Sequence, residues 1–151
     1  MATYNRTATG GGTAGHPANA SVPYVVTSPV WDTADGGTGG DVIQLIDVPE
    51  DTMIVSGVLE VLEARGNGQI TMDIGFTGGD VDCFVDGSAC AAGFTPFLEA
   101  AVGASGSNAR MLTSADTIDA LILDGGSTGE SACRFRVHVC MVDISRNPLT
   151  E

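Results

Sequence analysis

The sequence predicts an all-β protein, an antiparallel β-sandwich or barrel with a flexible N-terminal arm. Three observations carry that expectation. Short runs rich in Val, Ile and Thr recur between Gly- and Asp-rich turns. Within the clearest runs, apolar and polar side chains alternate with period two. No periodic helical segment alternates with these runs, as a parallel α/β sheet would require.

The chain has 151 residues, which sets one domain as the default and allows a core without help from disulfides or metals. Residues 1–21 stand apart. They consist largely of Gly, Thr, Ala and Asn, with Gly10, Gly11 and Gly12 in the middle. Such a segment buries too little apolar surface to offset the entropy of ordering it. It is expected to form an arm, mobile in the free protein and fixed in an assembly, that spans about 70 Å when extended. Residues 22–151 form the single β domain.

That domain opens with an irregular extended segment, Val22–Trp31, which Pro23 and Pro29 confine to a sheet edge. After the loop Asp32–Gly40, Asp41–Val48 is the first strand, and Pro49-Glu50-Asp51 turns the chain. Thr52–Ala64 is a long β-branched strand. Arg65-Gly66-Asn67-Gly68 reads as a hairpin turn, because Asn-Gly tolerates positive φ. In Gln69–Phe76, Ile70, Met72, Ile74 and Phe76 face one way, and Gln69, Thr71 and Asp73 the other. Residues 77–93 form a long Gly/Asp/Cys segment. Thr95 and Pro96 have the chemistry of an N-cap and first helical residue, which predicts a short helix to about Val102. Residues 103–114 read as loop and Asp116–Leu123 as a strand, followed by the hairpin turn Gly125–Gly129. Ala132–Asp143 is the clearest strand. Its inward face is Cys133, Phe135, Val137, Val139 and Met141, and its outward face Arg134, Arg136 and His138.

Charge is the most unusual property of the chain. Nineteen acidic residues against six basic ones give −13, all six bases are Arg, and residues 1–31 carry only Arg6. A body this acidic repels phosphate backbones and anionic lipid, so neither nucleic acid nor membrane is an expected partner. No apolar stretch approaches a membrane span, and residues 1–10 lack a signal peptide. Cytoplasmic synthesis is the resulting expectation.

Catalytic and metal motifs fail on inspection. The four cysteines (Cys83, Cys90, Cys133 and Cys140) lack C-x-x-C spacing. Cys133 and Cys140 lie seven apart on one strand and face opposite sides, so they cannot pair. Four thiols are expected in a cytoplasmic product. A Cys83–Cys90 bond is sterically possible, and disulfides could form after release from the cell. The stretch Asp80–Gly87 has the acidic start of an EF-hand loop but places Phe84, Val85 and Ala91 where that loop needs an acid, Gly and Glu. A looser carboxylate site from Asp80, Asp82 and Asp86 stays open beside the simpler reading of a solvated turn. Gly125-Gly126-Ser127-Thr128-Gly129 fits G-x-S-x-G, yet a strand rather than a helix follows, and only Glu130 stands between Ser127 and His138. A Walker loop needs Lys, which the chain lacks. His16 lies in the arm and His138 on a polar strand face. The sequons Asn5-Arg6-Thr7 and Asn19-Ala20-Ser21 carry no weight without a secretion signal. No enzyme activity, cofactor or metal is expected.

One order of short motifs runs through residues 41–143. It comprises Asp41-Val42-Ile43, Asp47-Val48-Pro49, a β-branched run, Asp73-Ile74-Gly75 and Asp80-Val81-Asp82-Cys83-Phe84. Ala115-Asp116-Thr117-Ile118, Gly129 and the strand Arg134–Val142 complete it. This order resembles small virion proteins of tailed bacteriophages, including head decoration (cement) proteins. The resemblance implies a non-enzymatic protein on the outer surface of a capsid. It would often be a trimer at local threefold positions, clamping subunits of the major capsid protein, with an N-terminal arm that orders on docking. It further implies contact through the arm and the edge segment, with Tyr24, Val25, Val26, Val30 and Trp31 as the residues to watch. Tyr24 and Trp31 are the natural aromatic anchors, or else members of the core. Other virion components (tail, adaptor or fibre-knob proteins) would share these features. A carbohydrate-binding β-sandwich would be expected to expose more aromatics than one Trp and two Tyr.

Overall fold

The computed structural model describes residues 3–8, 23–35, 39–64, 70–76, 79–97, 111–124 and 133–144. Among these there are eleven strands, one 3-10 turn at Thr33–Asp35 and no α-helix. The strands are β1 (Thr3–Ala8), β2 (Tyr24–Thr27), β3 (Trp31–Asp32), β4 (Val42–Val48), β5 (Thr52–Ala64), β6 (Thr71–Phe76), β7 (Val85–Ala89), β8 (Gly93–Phe97), β9 (Met111–Leu112), β10 (Asp116–Asp124) and β11 (Cys133–Asp143). They form two sheets. Sheet A has the order β1-β4-β10-β6-β7. Sheet B has the order β2-β11-β5-β8, with β3 also on β11 and β9 also on β5.

The two sheets share one core, as the period-two patterning requires. Ile46, Met72, Ile74, Ile118 and Ile122 from sheet A meet Ile54, Leu59, Phe135, Val137, Val139 and Met141 from sheet B, all fully buried. An aromatic chain bridges them. Phe76 meets Phe84 edge-on at 5.0 Å, and Phe84 stacks on Phe97 at 5.1 Å. Phe97 lies over Gly57, its partner across the β5–β8 ladder, where any Cβ would strike the ring. The inward face expected for the last strand is buried throughout, from Cys133 to Met141.

Several expectations are corrected. The Arg65–Gly68 and Gly125–Gly129 turns lie outside the described residues, but they do not close hairpins. β5 and β6 are in different sheets, as are β10 and β11. Thr95 and Pro96 belong to the edge strand β8, not to a helix; residues 98–102 are outside the described set. Edge strands are where Pro is tolerated within a sheet, because one row of N–H groups needs no partner there. Asp73 keeps the side expected for it, opposite Met72 and Ile74, but is covered there by β7. It is buried, and its Oδ1 accepts the N–H of Gly87 at 2.7 Å. Met111–Leu112 and Val85–Ala89 are strands within stretches read as irregular.

Thr3–Ala8, part of the expected arm, lies along the edge of sheet A. It pairs with β4 in parallel, whereas the other strand pairs are antiparallel. The rest of the arm, His16 included, lies outside the described residues.

The edge segment is built around Ser28. β2 and β3 run in succession along β11, interrupted by Pro29 and Val30. The buried Ser28 spans the interruption. Its N–H donates to the Val137 carbonyl, and its Oγ accepts the Val137 N–H, both at 2.9 Å. Ser28→Ala leaves that buried N–H without its acceptor and is expected to cost about 1–3 kcal/mol, measured by chemical denaturation.

Cys90 and Cys133 form a disulfide, which corrects both the four-thiol expectation and the Cys83–Cys90 alternative. Their Cα atoms are 6.2 Å apart, within the usual range, and both residues are buried. Cys90 follows β7 in sheet A and Cys133 opens β11 in sheet B, so the bond joins the sheets across the core. Cys83 and Cys140 are free. Thiol titration in denaturant should therefore find two thiols before reduction and four after it. Cys90→Ser should lower unfolding free energy by about 3 kcal/mol.

Candidate functional site

The outer faces of the two sheets differ in chemistry, and the difference follows from strand parity. On sheet A the outward positions of β6 are Asp73 and Gly75. Gly75 is held to glycine because the turn after β6 folds back over it. A Cβ there would lie 2.3 Å from the Asp80 carbonyl oxygen. The Phe76 N–H donates to that same carbonyl at 3.0 Å. The turn thus brings Asp80 and Asp82 to the Asp73 side of the sheet, with Asp86 beside them on β7. Burial, and then the charges of Asp86 and Asp82, hold Asp73 above the usual carboxylate range against the Gly87 hydrogen bond. A hydrogen bond with Asp82 raises Asp80 as well. Among the described residues, no three Asp, Glu, His or Cys side chains converge as a metal site. Burial, followed by Asp80 and Asp82, pushes the Cys83 thiol up to about 12, so it is a poor nucleophile at neutral pH.

Sheet B presents the opposite surface. Val25 (β2), Met53, Val55 and Leu62 (β5), Phe94 (β8) and Met111 (β9) are all exposed. Val55 and Leu62 occupy the two places where the β5–β11 register slips. A bulge puts an extra residue on the solvent side of a strand, and here both extra residues are apolar. Cys140, between Val25 of β2 and Ser56 of β5, continues the patch.

A row of charge crosses this face, with Glu60 standing between Arg136 of β11 and Phe94 of β8. Glu60 accepts hydrogen bonds from Arg136 Nε and from His138 Nε2, the latter at 2.9 Å. A carboxylate only accepts, so Nε2 carries the proton, and His138 Nδ1 is left to accept the Thr27 hydroxyl at 2.9 Å. Thr27, His138, Glu60 and Arg136 therefore tie β2, β11 and β5 together. Arg136 balances the carboxylate directly, so the chain fastens strands rather than activating the hydroxyl. Arg134 lies beside it, 3.9 Å from Asp32 and 3.7 Å from Glu63.

The residues singled out from the sequence are divided between core and surface. Trp31, 4% exposed, and Val26 are buried in the core. Tyr24 packs against the core, and burial followed by the charge of Asp143 raises its phenol. Val25, 67% exposed, lies on the outer face of sheet B, and Val30 is exposed in the interruption beside Pro29. Met53, Val55, Leu62, Phe94 and Met111 were not singled out. Alternation alone gives no reason to place apolar side chains on an outer face, and bulges are invisible before the register is known.

The fold is similar to that of chains of known structure. It matches a chain in the capsid of Ralstonia phage GP4 with a TM-score of 0.65 and 18% identity, covering 87% of this chain and 91% of that one. A chain in the cyanophage Pam1 capsid asymmetric unit matches at 0.60 and 14% identity, over 87% and 93%. A chain in the acid-stable capsid of Helicobacter pylori bacteriophage KHP30 matches at 0.57 and 14%, over 81% and 88%. No protein-family model and no curated sequence matches the chain.

The Glu60 hydrogen bonds make a pH prediction. Arg136 and then His138 lower the Glu60 carboxyl. An acid whose pKa is lowered by folding stabilises the fold above its unfolded value, near 4.3, and loses that contribution as pH falls through the lowered value. The melting temperature of Glu60→Gln should fall below wild type at pH 6, and the gap should narrow as pH falls below the ordinary carboxyl value near 4.3.

Proposed function

We propose that the protein is a structural component of a phage head that decorates the outside of the capsid and bridges shell subunits. The observation that carries this reading is the match of fold, nearly end to end, with three chains in phage capsid structures. Those chains are therefore close to this one in length, too short to bring in a second domain of comparable size.

Other features support it. The net charge of −13 suits a surface that meets salt water rather than packaged DNA. The hydroxyl–imidazole–carboxylate chain lies on an open sheet face with its carboxylate already neutralised, which fits a non-catalytic role. The disulfide fits a protein made as dithiol in host cytoplasm and oxidised after release. Under this reading the protein is a homo-oligomer, with a trimer favoured by the usual symmetry of shell positions. Tyr24, Val25, Val26, Val30 and Trp31 contribute as a segment: Val25 and Val30 by contact, Tyr24, Val26 and Trp31 by anchoring it to the core.

Mass spectrometry of purified particles tests the reading. Hundreds of copies per particle, in simple ratio to the major shell protein, are expected. A handful of copies would place the protein at the tail or portal, and its absence would remove it from the virion.

A further inference from the structure

We propose that the outer face of sheet B is the surface that seats on the shell, leaving the acidic face of sheet A toward solvent. This rests on the capsid reading above and adds an orientation and a partner chemistry. The partner surface is apolar where it meets Phe94, Val55 and Met53, with polar groups to meet Arg134.

Three observations lead to this face. The first is the distribution of apolar surface. Val25, Met53, Val55, Leu62, Phe94 and Met111 are exposed on strands of sheet B, against Leu123 among the described strand residues of sheet A. Phe94, 71% exposed on an edge strand, has the chemistry of an interface anchor.

The second is charge. Arg134 and Arg136 carry fixed positive charge on the outer face of β11, with the imidazole of His138 in line with them. There they meet Asp32, Glu60 and Glu63, so the face is close to neutral. On sheet A, Asp73, Asp80, Asp82 and Asp86 gather without a described cation among them. A partner approaching sheet B avoids the repulsion it would meet elsewhere on a −13 body. Arg134 is 43% exposed and holds its carboxylates at the long end of ion-pair distance, so its guanidinium has donors to offer a partner.

The third is size. The strands of sheet B present roughly 600 Å² of flat face, from strand rise and spacing. That is of the order of the roughly 800 Å² per partner in a standard interface.

The test uses the full chain and shells assembled without it, with binding read by co-sedimentation. Wild type should bind. Phe94→Glu with Val55→Asp should weaken binding at least about tenfold at unchanged melting temperature. Asp86→Arg, on the sheet A side, should stay within about twofold of wild type. Should the double variant misfold, methionine oxidation of wild type replaces it, and Met53 and Met111 should be protected on shells. Unweakened binding by a folded double variant, or unchanged oxidation of both methionines, overturns the face assignment while leaving the capsid reading intact. Disruption of an oligomer with shell binding retained gives the face to a second copy and also overturns it. Wild type that does not bind shells overturns both.

Discussion

The structure depends on the antiparallel pairing of β11 with β5. β11 runs from Cys133 to Asp143 and β5 from Thr52 to Ala64, and each residue of β11 has a partner. Alternation along β11 commits Phe135, Val137, Val139 and Met141 to the core and Arg134, Arg136 and His138 to the outside. A slip of one residue would bury two guanidinium groups and an imidazole at a cost no hydrophobic gain could offset. The rest of sheet B is assembled on this pair: β2 and β3 on the far side of β11, β8 and β9 on the far side of β5.

Much of this was legible in the sequence. The bounds of Thr52–Ala64 are those expected, the inward face of the last strand is correct residue by residue, and the all-β class follows from the same patterning. What was not legible is which strand meets which. Period two states that a strand has two faces but not which sheet it joins, so the crossings after β5 and β10 were read as hairpins. The Cys90–Cys133 bond was hidden for the same reason, since its halves lie in different sheets and 43 residues apart. Thr95-Pro96 failed differently. A Pro after Thr suits the start of a helix and the edge of a sheet equally, and only the ladder to Val58 and Leu59 decides between them. The candidate site was legible in part. Val25 was named from its segment, but Trp31 and Val26 were taken up by the core, and the two bulge residues depend on a register that period two leaves undetermined.

The two faces arise from different devices. Sheet A gathers carboxylates because a turn folds back over Gly75 and carries Asp80 and Asp82 with it. Sheet B exposes apolar groups because its longest strand bulges twice and puts Val55 and Leu62 outside. Neither device changes the core, so the outer surfaces can be altered with little effect on the fold.

The position of the Cys90–Cys133 bond has a mechanical consequence. In a sandwich held only by packing, a pull on the central strand of one sheet could slide the sheets past each other, losing contacts a few at a time. Here a pull on β11 passes through covalent bonds to the strand edge of the opposite sheet. Sliding at that end is blocked until a bond breaks, so the two layers bear tension together as one plate.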